Sequence, residues 1–132
     1  MPIKLMLDSG AFSVWSSGKK IDLDEYTKFC KEHSNFTTVV NLDVIPPKGL
    51  RLSKELKEAC CQEGWDNYMS MLRHIPLEQL VPVFHRGEDF KWLEKYLDFG
   101  SPYIGLSPRF DGTSWRRRQA FLQECKKYIL RS

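Results

Sequence analysis

The sequence predicts an α/β fold built on a parallel sheet, and three observations lead there. Short apolar or β-branched runs alternate with longer segments of helical period, and four such pairs follow one another along the chain. The strand segments are mostly apolar, as in sheets whose parallel neighbours are joined by helical crossovers. No internal repeat or low-complexity segment interrupts the order. At 132 residues the chain suits one domain spanning positions 1 to 132 with a single core. An open doubly wound sheet and a portion of a (β/α)8 barrel both fit, and a complete barrel takes roughly 250 residues, about twice this length.

The first strand is read at Ile3 to Leu7. Asp22 then reads as an N-cap, with Glu25 three residues on as its capping-box partner. The helix it opens carries Leu23, Tyr26, Phe29, Cys30 and His33 as an apolar stripe. The second strand, FTTVVNL at 36 to 42, is β-branched and ends at Asp43, before Ile45-Pro46-Pro47 rules out regular pairing. A helical region follows from Ser53 to Arg73, with Gly64 as a break or kink and Trp65, Tyr68, Met69 and Leu72 on its apolar face. QLVPVFH at 79 to 85 is the third strand, and its helix runs from Asp89 to Phe99, where Gly100 ends it. The fourth strand is YIGL at 103 to 106. The last helix begins at Thr113 or Ser114 and turns Trp115, Phe121, Leu122, Cys125 and Ile129 inward.

Composition narrows the class. Hydrophobic residues make up 42% and charged residues 28%, a globular balance that argues against disorder or a fibrous repeat. No apolar stretch reaches the roughly 20 residues that cross a bilayer, and the N-terminus lacks the pattern of a secretion signal, so a cytoplasmic protein with no membrane partner is expected. Cys30, Cys60, Cys61 and Cys125 form no C-x-x-C pair, and His33, His74 and His85 have no zinc spacing. The cysteines read as reduced, buried thiols, with no metal site and no cofactor. The net charge of +3 permits a nucleic-acid partner without requiring one.

In either architecture, functional groups gather at the carboxyl ends of the strands. Those positions hold Asp8 and Ser9, then Asp43, then His85-Arg86-Gly87, then Gly105 to Ser107. Together they would set two carboxylates, an imidazole and open backbone on one face. Each also has a structural reading: Asp8 and Asp43 as turn caps, His85 as a hydrogen-bonded core histidine, Phe12 and Trp15 as core. Arg116, Arg117 and Arg118 fall in the first turn of the last helix, at the same end of the sheet. Arginines placed so can hold phosphates, and the run reads equally as a solvated helix face.

Residues 7 to 13, LDSGAFS, resemble the Asp-Ser-Gly-x-aromatic motif that closes the first catalytic strand in tRNA-guanine transglycosylases, and are still more similar to phage and bacterial relatives that insert deazaguanines into DNA. NLDVIPP, VPVFHRGED and YIGLSP stand in the order and strand positions of that superfamily's next three units. The resemblance covers residues 3 to about 130 and implies the N-terminal half of a (β/α)8 barrel. It implies exchange of a guanine or 7-deazaguanine base in tRNA or DNA. Asp8 would be the catalytic carboxylate beside the purine, serving in proton transfer or hydrogen bonding. Ser9 and Gly10 would form the turn that aims it, and Phe12 would stack on the base, a contact of about 1–3 kcal/mol. Asp43 would accept from the ring N–H and exocyclic amine. His85 and Gly87 would meet the base carbonyl, and Gly105 and Leu106 would offer backbone N–H groups there.

The departures are specific. Ala11, Ser13 and His85 stand where the tRNA enzymes carry glycine, glutamine and glutamine. The family's nucleophile is an aspartate on a later strand, which attacks the ribose anomeric carbon, and no residue here matches it; Asp111 follows the fourth strand too closely. The family's cysteine-rich zinc subdomain is absent too. A homodimer or a complementary half-barrel chain is therefore expected to cover the open sheet edge. Two other readings remain open: a metal-dependent hydrolase using Asp8, Asp43 and His85 around Mg2+, Mn2+ or Zn2+, and a non-catalytic base-binding module.

Overall fold

The structure is a computed structural model that describes residues 4–10, 20–33, 35–46, 53–108 and 114–131. In chain order its elements are strand β1 (Met6–Leu7), helix α1 (Leu23–Glu32), strand β2 (Thr38–Val40), helix α2 (Lys54–Met71), strands β3 (Leu80–Val81) and β4 (Val83–His85), helix α3 (Phe90–Phe99), strand β5 (Gly105–Ser107) and helix α4 (Trp115–Arg131). The fold is α/β, with small parallel sheets and four helices among the described residues.

Local chemistry sets the helix boundaries. Glu25 N donates to Asp22 Oδ1 at 2.9 Å, Leu56 N to Ser53 Oγ at 3.0 Å and Lys91 N to Asp89 Oδ1 at 2.9 Å, so each helix start satisfies a backbone donor that has no partner within the helix. Helix α3 stops at Gly100, whose φ of 98° is left-handed and whose N–H bonds back to Leu97 O. Gly64 is not the break its sequence suggests: α2 runs through it for 18 residues. None of the described helices is long and apolar enough to cross a membrane.

One sheet has the order β1, β2, β3, with Met6 opposite Thr38 and Val39 opposite Leu80; the other pairs β4 with β5, with Val83 opposite Gly105 and His85 opposite Ser107. Every pairing is parallel. The single strand predicted at 79 to 85 is thus two short strands serving different neighbours. Pro82 separates them because it has no N–H to give, while its carbonyl accepts from Gly105 N at 2.8 Å. The last strand lies at 105–107, slightly later than the 103 to 106 read from sequence.

The core has two parts. Tyr26, Cys30, Val39, Tyr68, Met71 and Leu80 fill the space between the first sheet and helices α1 and α2. Phe84, Trp92, Leu93, Phe121 and Cys125 join β4 to α3 and α4, with Cys61 of α2 at their edge. Two predicted stripes are narrower than expected. In α1, Tyr26 and Cys30 are buried, whereas Phe29 and His33 are exposed and stack on each other at 4.0 Å between ring centroids. In α4 only Phe121 and Cys125 are buried, and Trp115 is 67% exposed. Trp115 precedes Phe121 by six residues, which places it about 120° round the helix from the packed face.

Candidate functional site

The site is assembled where β2 and β4 end. Beyond β2, Asn41 N continues the ladder to Val81 O at 2.8 Å, and two side-chain amides then tie the chain to α2: Asn41 Nδ2 donates to Gly64 O at 3.0 Å and Asn67 Nδ2 to Leu42 O at 2.9 Å. A Cβ at Gly64 would lie an ordinary 3.9 Å from Val44 N, so the approach leaves room for a small side chain. Asp43 leaves β2 held on both sides. Beyond β4, the turn at Arg86 and Gly87 needs a left-handed glycine, φ 98°, and Glu88 N donates to His85 O at 3.2 Å. That turn folds the Glu88 carboxylate back onto His85.

Three side chains then meet. His85 Nε2 lies 2.7 Å from Asp43 Oδ2, and His85 Nδ1 lies 3.2 Å from Glu88 Oε1, which also accepts from His85 N at 2.6 Å. The Cys61 thiol of α2 donates to Glu88 Oε2 at 3.1 Å, and the Ser9 hydroxyl, buried just after β1, donates to Asp43 Oδ1 over a long 3.4 Å. Burial alone would lower the His85 pKa. Hydrogen bonds from its ring to Asp43 and Glu88, reinforced by their charges, outweigh it and push the pKa up to about 9. The Cys61 pKa is raised too, by burial and then by the charge of Glu88, so it stays a thiol and a donor.

The imidazole and the Asp43 carboxylate retain 13% and 14% exposure, enough for a ligand to touch them. Beneath them lies a cavity of about 10 Å³ whose walls include Asn41, Cys60, Gly64, Val83, Trp92 and Tyr96. That is the room of one water molecule, far less than a purine requires. Asn41 Oδ1, on this wall, is buried with no hydrogen-bond partner among the described residues.

Of the residues singled out by sequence, the structure brings together Ser9, Asp43 and His85. Asp8 is exposed, yet near enough that its charge, with that of Asp43, adds to the burial and the Cys30 contact that raise the Tyr26 pKa. Gly10 has a φ of 74°, the left-handed turn expected after β1. Gly87 is an exposed residue of the turn after β4. The Gly105 N–H is already donated to Pro82 O, and the half-buried Leu106 packs its side chain into the second core. Arg116 and Arg117 are exposed on the first turn of α4, and Arg118 is half-buried. Phe12, Trp15, Asp111 and Thr113 lie outside the described residues.

Sequence reasoning missed Glu88 and Cys61. Glu88 left a local signal, a carboxylate three residues after a strand-ending histidine with glycine between; Cys61 left none, because it arrives from another element. Among the described residues no group of three or more His, Cys, Asp or Glu is arranged to hold a metal ion. Both ring nitrogens of His85 face carboxylate oxygens, so the lone pair that a metal-dependent hydrolase would need from this imidazole is turned away from a cation. Compared with protein families, curated proteins and solved structures, the chain shows no significant match to any of them.

Proposed function

We propose that the chain is a transglycosylase-like protein that binds guanine or a 7-deazaguanine base for exchange in tRNA or DNA, on a sheet equivalent to the N-terminal half of a (β/α)8 barrel. The observation that carries this reading is the unequal use of the two Asp43 oxygens. Oδ2 is engaged by His85 at 2.7 Å, while among the described residues Oδ1 has only the long contact to Ser9 and keeps acceptor capacity at the strand ends. A base edge with a ring N–H beside an exocyclic amine supplies the donors that such an oxygen takes. The small cavity beneath holds no base, so the purine lies over the rim formed by Asp43 and His85. The half-barrel reading draws support from parallel pairing in chain order, β1 to β2 to β3 and then β4 to β5. A second copy or a complementary chain would cover the remaining edges, and Arg116, Arg117 and Arg118 would meet the phosphates of the polymer.

Calorimetric titration with guanine, 7-deazaguanine and adenine tests the reading. Guanine binds, adenine binds at least tenfold more weakly, and Asp43→Asn loses the preference, since a difference of about 1.4 kcal/mol in one hydrogen-bonded edge gives a factor of ten. Equal binding of guanine and adenine, or an undisturbed Asp43→Asn variant, refutes it. Exchange of labelled guanine into tRNA and into DNA, with Asp8→Asn as control, then separates an enzyme from a base-binding module, and the solution mass tests the paired half-barrel.

A further inference from the structure

We infer that Glu88 is a positioning residue: braced by the Cys61 thiol, it fixes His85 as a doubly donating imidazolium, which holds one oxygen of Asp43 and leaves the other for a ligand that carries N–H donors. The nature of the ligand rests on the base-binding reading above; the positioning rests on the contacts alone.

Counting donors separates the two carboxylates. Glu88 accepts from His85 N at 2.6 Å, faces His85 Nδ1 at 3.2 Å and accepts from Cys61 Sγ at 3.1 Å, so both its oxygens are engaged within the protein. Among the described residues Asp43 has one short side-chain partner, His85 Nε2, and one long one, Ser9 Oγ. Glu88 is thus the structural carboxylate and Asp43 the one with capacity left. A neutral imidazole carries one N–H and would satisfy only one of its two carboxylate neighbours, with a lone pair set against the other. Both contacts are hydrogen bonds only when both ring nitrogens are protonated. Without Glu88, the ring could shed its Nδ1 proton and rotate, and Asp43 would lose the donor that orients it.

The groups facing His85 come from several elements. Asp43 follows β2, Glu88 precedes α3, Cys60 and Cys61 project from α2, and Tyr96 comes from α3; all line the cavity that His85 also lines. Burial and the negative charge of Glu88 raise the pKa of Tyr96, and burial raises that of Cys60, so neither supplies a second anion to replace Glu88. Among the described residues the ring nitrogens face only the two carboxylates. The sequence builds this economically: Gly87 makes the turn that lets residue 88 reach residue 85, and the buried α2 face supplies the thiol.

Imidazole nitrogen NMR on the full chain tests the inference, with His85→Gln assigning the signal against those of His33 and His74. In the native protein both His85 nitrogens carry protons at neutral pH and the midpoint lies at about 9. Glu88→Gln keeps one oxygen for the backbone donor of His85 but removes the charge, so the midpoint falls by about one pH unit or more. Guanine binding by that variant then weakens more above neutral pH than below it. Should Glu88→Gln fail to fold by circular dichroism, Glu88→Asp, one methylene shorter, withdraws the same charge from Nδ1 and lowers the midpoint likewise. A native His85 that is neutral at pH 7, or a variant midpoint equal to the native one, overturns the inference. A shifted midpoint in a protein that binds no guanine overturns the base-binding reading instead and leaves the positioning role standing.

Discussion

Raising the pH from 6.5 towards 9 should destabilise the folded state through His85, and the size of the effect follows from its pKa. The ring titrates at the ordinary 6.5 when unfolded and at about 9 when folded between Asp43 and Glu88. Below 6.5 both states hold the proton and the stabilisation is fully present. Between the two values the unfolded chain sheds a proton that the native state keeps, so each pH unit costs the folded state about 1.4 kcal/mol. Across the whole window the loss is about 3 kcal/mol, a large share of the roughly 5–15 kcal/mol that holds a domain together. Above the folded value this contribution is gone.

Urea unfolding at half-unit steps from pH 6 to about pH 8.5 reads the slope directly. Stopping there limits a second source, the buried cysteine thiols, whose raised pKa values make unfolded-state ionisation destabilising above their ordinary 9. The control is His85→Gln. It leaves Asp43 and Glu88 facing each other without a cation, so it starts less stable at pH 6, by about 3 kcal/mol or more. Its stability then stays nearly flat where the native protein declines, and the two curves converge. Parallel curves would refute the reasoning, because the pH dependence would then arise elsewhere in the chain.

Other consequences are simpler to check. Gly64→Ala should be neutral or stabilising by up to about 1 kcal/mol in urea unfolding, since alanine favours the helix and the added Cβ meets Val44 N at an ordinary 3.9 Å. A crystal structure at high resolution should show one ordered water in the cavity under His85, hydrogen-bonded to Asn41 Oδ1, which is buried without a partner among the described residues. Phe84→Ala should cost about 3–5 kcal/mol by the same unfolding assay, because Phe84 is 1% exposed and joins β4 to the α4 face at Phe121.

The features legible in the sequence are those decided within a few residues. Asp22, Ser53 and Asp89 cap helices through donors two or three residues away, and Gly100 ends one through its own backbone angle, so short-range chemistry sufficed. The meeting of Asp43 with His85, 42 residues apart, was also legible, because parallel strands joined by helices bring their carboxyl ends to one side. What failed was whatever a distant partner decides. Gly64 looks like a helix break until Asn41, 23 residues earlier, is seen to need its carbonyl. Pro82 looks tolerable in one strand until the strands on either side prove to belong to different sheets. Trp115 sits in a run with apolar character, but a helix packed along Phe121, Cys125 and Tyr128 has no use for it inside.

Glu88 falls between these cases, and it shows what reading strand ends alone leaves out. Such a reading finds the residues that point along the strand axis, here Asp43 and His85. It omits a residue that the next turn folds back, although glycine at 87 and a carboxylate at 88 state that return in four letters. It also omits Cys61, which enters from the middle of α2 and whose hydrogen bond depends on how that helix packs against the turn. The protonation state of His85 depends on Asp43 and Glu88 together, so the strand-end members identify the site while a member from the turn decides the charge on its imidazole.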